Sequence, residues 1–232
     1  MLVIGHRGAR GLKPENTIAG LRKAVELGVD IVEFDIRLTK DRVPVLSHDP
    51  FMLRTHHDPR LLSMFTLEEL RARTAGSEFP ITTLEAALKE CAGKVITNIE
   101  VKQANVFPYA LPIIEKYIRR TSDWELFIFS SFSIRALTKI RAALPHAQLA
   151  LLHRLNPLLF LQYKDKLNLI GVGFHRLHIN SFVLALTSKL DLFTYVYTVN
   201  RPEAAIKLAE RGVDAVVTDR PDLIIKALAQ PE

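Results

Sequence analysis

Glu33-Phe34-Asp35 sets two carboxylates two positions apart in a run otherwise rich in Ile and Val. On a β-strand such positions share a face. Two acids crowded there repel unless a cation or a proton lies between them. Ile99-Glu100-Val101-Lys102 repeats the geometry, with Glu100 and Lys102 on one face and apolar neighbours on the other. Taken singly, each pattern has a plainer meaning: exposed acids flanking a buried Phe, or a structural Glu–Lys pair. Taken together, Glu33, Asp35 and Glu100 form a hard three-oxygen set suited to Mg²⁺ or Ca²⁺. Zinc is disfavoured because the set holds no Cys.

Two histidines stand beside loop punctuation, in His6-Arg7-Gly8 and His48-Asp49-Pro50. A lone His is more often a packing or surface residue. A pair at the rim that carries the acids can act as base and acid near neutral pH. Arg7 can hold a phosphate oxygen through a charge-assisted bond, and Lys102 adds a point charge. Pro14-Glu15-Asn16-Thr17 precedes a helical run, so Asn16 or Thr17 is its N-cap. The sharper alternative sets Asn16 and the helix-start amides against an anion. Other candidates carry less. His56 and His57 fall in a loop expected to be exposed, and His146 and His153 have no evident partner. His175 and His178 stand three apart and would face opposite ways on a strand. Ser130-Ser131-Phe132 lacks the GxSxG elbow of a serine nucleophile.

These residues need a scaffold, and the chain alternates short β-branched runs with amphipathic ones. Strands are expected over 2–5, 31–36, 95–101, 126–130, 148–152, 169–174, 194–199 and 215–218. Helices are expected over 17–27, 104–119, 133–143, 181–190, 202–211 and 221–229. Pro202 and Pro221 stand at helix starts, and Gly28 and Gly212 just past helix ends. Eight strand–helix units in 232 residues fit a closed parallel (β/α)8 TIM barrel. Residues 43–47 also look like a strand, but follow Asp35 too closely for a helical crossover. They predict a hairpin with 36–39 that returns His48 to the rim. The stretch 51–80 shows no clear strand. It is expected to be an inserted loop with one short helix over 66–73, followed by a helix over 82–91.

The bulk composition bounds the rest. With 48% apolar residues the chain can bury one full core, which predicts a single domain. No apolar run is long enough for a membrane span. The single cysteine, Cys91, excludes an internal disulfide and reads as a small buried apolar group. With strand-like sequence starting at Leu2, these features favour a cytoplasmic location. The net charge of +6 attracts anions, but Lys and Arg are scattered, which argues against nucleic acid as a partner. The sequence does not decide between a monomer and a homodimer.

In this order the motifs resemble the glycerophosphodiester phosphodiesterase family, and most closely its short bacterial cytoplasmic type. The resemblance runs through His6-Arg7-Gly8, Pro14-Glu15-Asn16-Thr17, Glu33-Phe34-Asp35, Leu38-Thr39-Lys40-Asp41, His48-Asp49-Pro50 and Ile99-Glu100-Val101-Lys102. It continues through Ser130-Ser131-Phe132, Tyr197-Thr198-Val199-Asn200 and Gly212-Val213-Asp214 to Thr218-Asp219-Arg220-Pro221. Each motif is weak alone; the ordered set is specific. The resemblance implies a barrel with its site at the C-terminal mouth. It implies a divalent metal on Glu33, Asp35 and Glu100, His6 and His48 as acid and base, and Arg7 and Lys102 on the phosphate. The implied reaction cleaves a small-molecule glycerophosphodiester to glycerol 3-phosphate and an alcohol. Tyr197 stands where the family often has Trp, so it is expected to line the wall that meets the alcohol. The 51–80 segment is expected to cap the mouth and shape substrate choice. Related barrels cleave lysophospholipids in a phospholipase D manner. For that alternative, the apolar stretch Leu155–Leu161 is a candidate acyl-chain or peripheral membrane contact, although a buried barrel helix is the favoured reading.

Overall fold

A computed structural model describes residues 1–153 and 155–229. The strands are β1 (Leu2–Gly5), β2 (Ile31–Leu38), β3 (Pro44–Leu46), β4 (Ile96–Val101), β5 (Phe127–Ser131), β6 (Gln148–His153), β7 (Leu169–His175), β8 (Phe193–Tyr197) and β9 (Ala215–Thr218). All but β3 run parallel, and β1 pairs with both β2 and β9, which closes an eight-stranded barrel. The helices are α1 (Ile18–Glu26), α2 (Leu53–His56), α3 (Leu67–Thr74), α4 (Leu84–Cys91), α5 (Phe107–Glu115), α6 (Ile134–Ala143), α7 (Lys164–Leu167), α8 (Ser181–Lys189), α9 (Pro202–Glu210) and α10 (Pro221–Leu228). Among the described residues no helix is long and apolar enough to cross a membrane.

Alternation along each strand produces two apolar regions. Ile4, Ile31, Ile128, Ala150, Tyr195 and Val217 belong to one buried cluster that fills the barrel. Their sequence neighbours, such as Val3, Val32, Phe129, Leu149, Val196 and Val216, belong to the larger cluster shared with the helices. A closed barrel of this size is packed with side chains rather than open as a pore, so the remaining space lies at its mouth. Helix starts follow local chemistry. Thr17, Thr83, Ser133 and Asn180 each accept a hydrogen bond from the amide three residues on. Gly28 and Gly212 adopt φ of 74° and 79° just past α1 and α9.

The hairpin forms as expected. Ile36, Arg37 and Leu38 pair antiparallel with Leu46, Val45 and Pro44. Two expectations need correction. The segment 51–80 is more ordered than a loop with one helix. It contains α2, a 3₁₀ turn at Leu62–Met64 and α3, packed around Met52, Leu62, Phe65 and Leu70 together with Val45 of β3. The stretch Leu155–Leu161 is not a buried barrel helix. It turns, then forms a 3₁₀ segment, Leu159–Gln162. Phe160 alone is fully buried there, against His153 and Phe174, while Leu155 is 88% exposed. Asn156-Pro157 breaks any helix at its start, because Pro disfavours the helical region for the residue before it.

Candidate active site

A cavity of about 470 Å³ opens at the C-terminal ends of the strands. One side is charged: His6, Arg7, Glu33, His48, Glu100 and Lys102 line it from β1, β2, β4 and the hairpin. The other side carries Phe132, Leu152, His175, Leu177 and Tyr197, from β5 to β8 and their loops. None of the described lining residues comes from 51–80. That segment instead braces the site from outside. Arg54 joins Glu15 to Asp49 through its guanidinium, with Nε 2.6 Å from Asp49 Oδ2.

The register of β2 against β4 sets Asp35 beside Glu100. Oxygens of Glu33, Asp35 and Glu100 lie within 4.8 Å of one another, and all three residues are buried. Their environments differ. Burial, then the charges of Asp35 and Glu100, raise the Glu33 pKa well above the usual carboxylate range. Burial and Asp35 push Glu100 up to about 7. Burial opposes ionisation of Asp35 as well, but Lys102 and Arg7 outweigh it and hold its pKa low. Lys102 Nζ lies 2.8 Å from Asp35 Oδ1 and also donates to Glu100. Arg7 Nε lies 3.2 Å from Asp35 Oδ2.

Glu33 Oε2 accepts the Arg7 amide at 2.9 Å, yet its buried Oε1 has no hydrogen-bond partner. A buried acceptor left unpaired is costly, and three crowded carboxylates are more so. The donor set is all oxygen, hard and anionic. It therefore fits a divalent cation such as Mg²⁺ or Ca²⁺.

Each rim histidine is oriented by a carboxylate. His6 Nδ1 lies 2.6 Å from Asp219 Oδ1, and Asp219 also accepts from Asn200 Nδ2 at 2.8 Å. His48 Nδ1 lies 2.7 Å from Asp49 Oδ1. An ionised carboxylate only accepts, so each imidazole carries its proton on Nδ1 and leaves Nε2 for proton exchange. Burial is the main cause that lowers both histidine pKa values, which favours the neutral ring.

The His6-Arg7-Gly8 turn depends on unusual backbone. Arg7 and Gly8 adopt φ of 52° and 85°. A Cβ on Gly8 would sit 2.5 Å from the carbonyl carbon of Gly20. Gly8→Ala is therefore expected to cost more than about 1 kcal/mol. It should also lower kcat, because His6 and Arg7 hang from the same turn. A thermal unfolding midpoint equal to wild type would refute this.

Asn16, a candidate substrate contact, is not among the cavity-lining residues. Its amide nitrogen donates to Asp35 Oδ2 at 2.9 Å and its oxygen accepts the Asp35 amide at 3.3 Å. It holds Asp35 in place, and the helix cap is Thr17. Tyr197 does line the cavity, and its hydroxyl donates to the carbonyl of His153. His175 and His178, set aside from sequence, also line it, with ring centroids 5.8 Å apart. The strand ends at His175, so alternation no longer governs the residues beyond it. Sequence reasoning gave Asp219 and Asp49 no role. Barrel closure supplied the missing signal for Asp219, since β1 and β9 are neighbours and His6 and Asp219 immediately follow them.

Fold and site together define a barrel hydrolase with an acidic, cation-type centre set between two carboxylate-anchored imidazoles. The family model described as the glycerophosphoryl diester phosphodiesterase family matches residues 6–223. The chain is 34% identical to the Bacillus subtilis protein YhdW over 241 residues, 97% of each chain. It is 32% identical to a glycerophosphodiester phosphodiesterase of Caldanaerobacter subterraneus, covering 97% of this chain and 96% of the other. An Oleispira antarctica phosphodiesterase, solved with its product sn-glycerol-3-phosphate, superposes with a TM-score of 0.90 at 25% identity, covering 99% and 97%. The chain belongs to the glycerophosphoryl diester phosphodiesterase family and is a phosphoric diester hydrolase.

Proposed function

We propose that this chain hydrolyses small glycerophosphodiesters to glycerol 3-phosphate and an alcohol, with a divalent cation on Glu33, Asp35 and Glu100. The observation that carries the reading is the pair of imidazoles, each fixed by a carboxylate, on the rim of a three-carboxylate centre. Phosphodiester cleavage needs a proton taken from the nucleophile and one given to the departing oxygen. His6 and His48 supply those two transfers through Nε2. Lys102 and Arg7 stand at the same wall, where a phosphate anion would meet their charge. A divalent cation such as Mg²⁺ or Ca²⁺, held by Glu33, Asp35 and Glu100, would supply positive charge against the phosphate and toward the attacking hydroxyl. That hydroxyl belongs either to the neighbouring glycerol carbon, through a cyclic phosphate, or to water.

The wall bearing Phe132, Leu152, Leu177 and Tyr197 lies across the cavity from the charged groups, where the alcohol portion would sit. Its apolar character favours one second reading, phospholipase D-type cleavage of lysophospholipids. A single assay separates the two. Glycerol 3-phosphate is expected from glycerophosphocholine, to vanish with EDTA, and to return with Mg²⁺ or Ca²⁺. Release of choline from lysophosphatidylcholine, with none of the first product, would replace the first reading by the second. No product from either substrate with either ion would defeat both.

A further inference from the structure

Beside the cavity mouth an apolar shoulder extends beyond the wall that the reaction above uses. β6 and β7 are hydrogen-bonded neighbours, and the chain leaving each of them exposes large apolar side chains. Leu155, Leu158 and Leu161 follow β6; Leu177 and Phe182 follow β7. Leu155 is 88% exposed, Leu177 76% and Phe182 66%. Single exposed leucines need no explanation, but four leucines and a phenylalanine on two adjacent segments do. Leu177 also lines the cavity, so the shoulder is continuous with the site.

Charge accompanies it. Among the described residues, the loops and first helical turns at this rim after β5, β7 and β8 carry Arg135, Arg176 and Arg201, against Glu203. Arg201 lies 3.9 Å from Glu203. Arg135 is exposed and forms no ion pair among the described residues, and the Arg176 guanidinium, beside Leu177, donates to the Thr198 carbonyl at 3.3 Å. The excess is cationic, as is the whole chain at +6.

We propose that this shoulder docks onto an anionic phospholipid surface, with the leucines and Phe182 entering the headgroup boundary and the surrounding cations meeting the lipid phosphates. The two halves of the argument are mutually supporting. Apolar side chains ringed by cations match a boundary that is apolar beneath and negative above. A buried protein partner explains the leucines but not the cationic excess; a soluble anion explains the cations but not the leucines. Docking in this pose would turn the cavity mouth toward the membrane. The proposal concerns binding, and it stands apart from the choice of substrate.

The test is co-sedimentation of the full chain with vesicles of phosphatidylcholine alone or with a quarter phosphatidylglycerol. Wild type should bind the mixed vesicles, bind the neutral ones less, and be partly released by raised salt. The triple variant Leu155→Ser, Leu161→Ser, Phe182→Ser should bind mixed vesicles at least tenfold more weakly. It should keep wild-type turnover of glycerophosphocholine, which also shows that it is folded. Absence of wild-type binding would overturn the proposal, as would equal binding by the variant. Wild type sedimenting as a dimer and the variant as a monomer would overturn it too, by assigning the shoulder to a second copy of the chain.

Discussion

Replacing either His6 or His48 with Ala is expected to lower kcat by on the order of 10²–10⁴, the usual yield of a positioned proton donor or acceptor. Both imidazoles serve one cleavage event, so the double variant should lose much less than the product of the single losses. Full additivity would sink the pairing. Direction also follows for pH. Burial lowers both histidine pKa values. A base with a lowered pKa stays deprotonated further into acid, so the rising limb of kcat/KM should lie below pH 6.5, the ordinary histidine value. A second, falling limb should appear once the acid partner has lost its proton. A flat profile from pH 5 to 9 would argue against paired histidines. Asp219→Asn should leave His6 in contact but allow the other tautomer, lowering kcat more than KM.

The second large effect concerns Glu33. Glu33→Gln is expected to remove more than about 100-fold of activity, the upper end of what losing an outer-shell partner of a metal costs. The same change should raise the stability of the metal-free protein at pH 8. Burial and two neighbouring carboxylates raise the pKa of Glu33 in the folded chain. An acid with a raised native pKa still holds its proton when the unfolded chain has released it. Native stability therefore falls as pH climbs through and beyond the ordinary carboxylate range. Gln carries no such penalty, so the variant should melt higher at pH 8 and level with wild type near pH 4. Adding Mg²⁺ or Ca²⁺ should raise the melting temperature of wild type far more than that of the variant. A metal-free variant that melts below wild type at pH 8 would mean that Glu33 is a structural hydrogen-bond acceptor rather than a strained ligand.

The elements that position the site were legible because their signals are local. Strand alternation put Glu33 with Asp35 and Glu100 with Lys102, and the short spacing after Asp35 forced the hairpin that carries His48. Three features were not legible, for separate physical reasons. The Asp219 contact to His6 spans 213 residues and exists only because the barrel closes. Asn16 looked like a cap or an anion ligand, but its φ of 55° turns the side chain over to Asp35. Leu155–Leu161 carried the composition of a core helix, and Asn156-Pro157 overrode composition with backbone geometry. Burial then depended on Phe160 alone finding a slot beside His153 and Phe174.

The two-sided lining of the cavity has a consequence for how such an enzyme changes. The groups proposed to act on phosphate, with Asp219, hang on four consecutive staves of the barrel, β9, β1, β2 and β4, and on the β3 hairpin that extends β2 and carries His48. The opposite staves, β5 to β7, offer mainly rings and aliphatic chains, while the loop after β8 also supplies Asn200, which braces Asp219. On the proposed reading, selectivity and reactivity would thus be largely modular. A graft of the segments after β6 and β7 from a relative can retune which alcohol is accepted and leave the bond-breaking half intact. Inheritance can do the same, drifting through substrates by editing one semicircle while the other is held still.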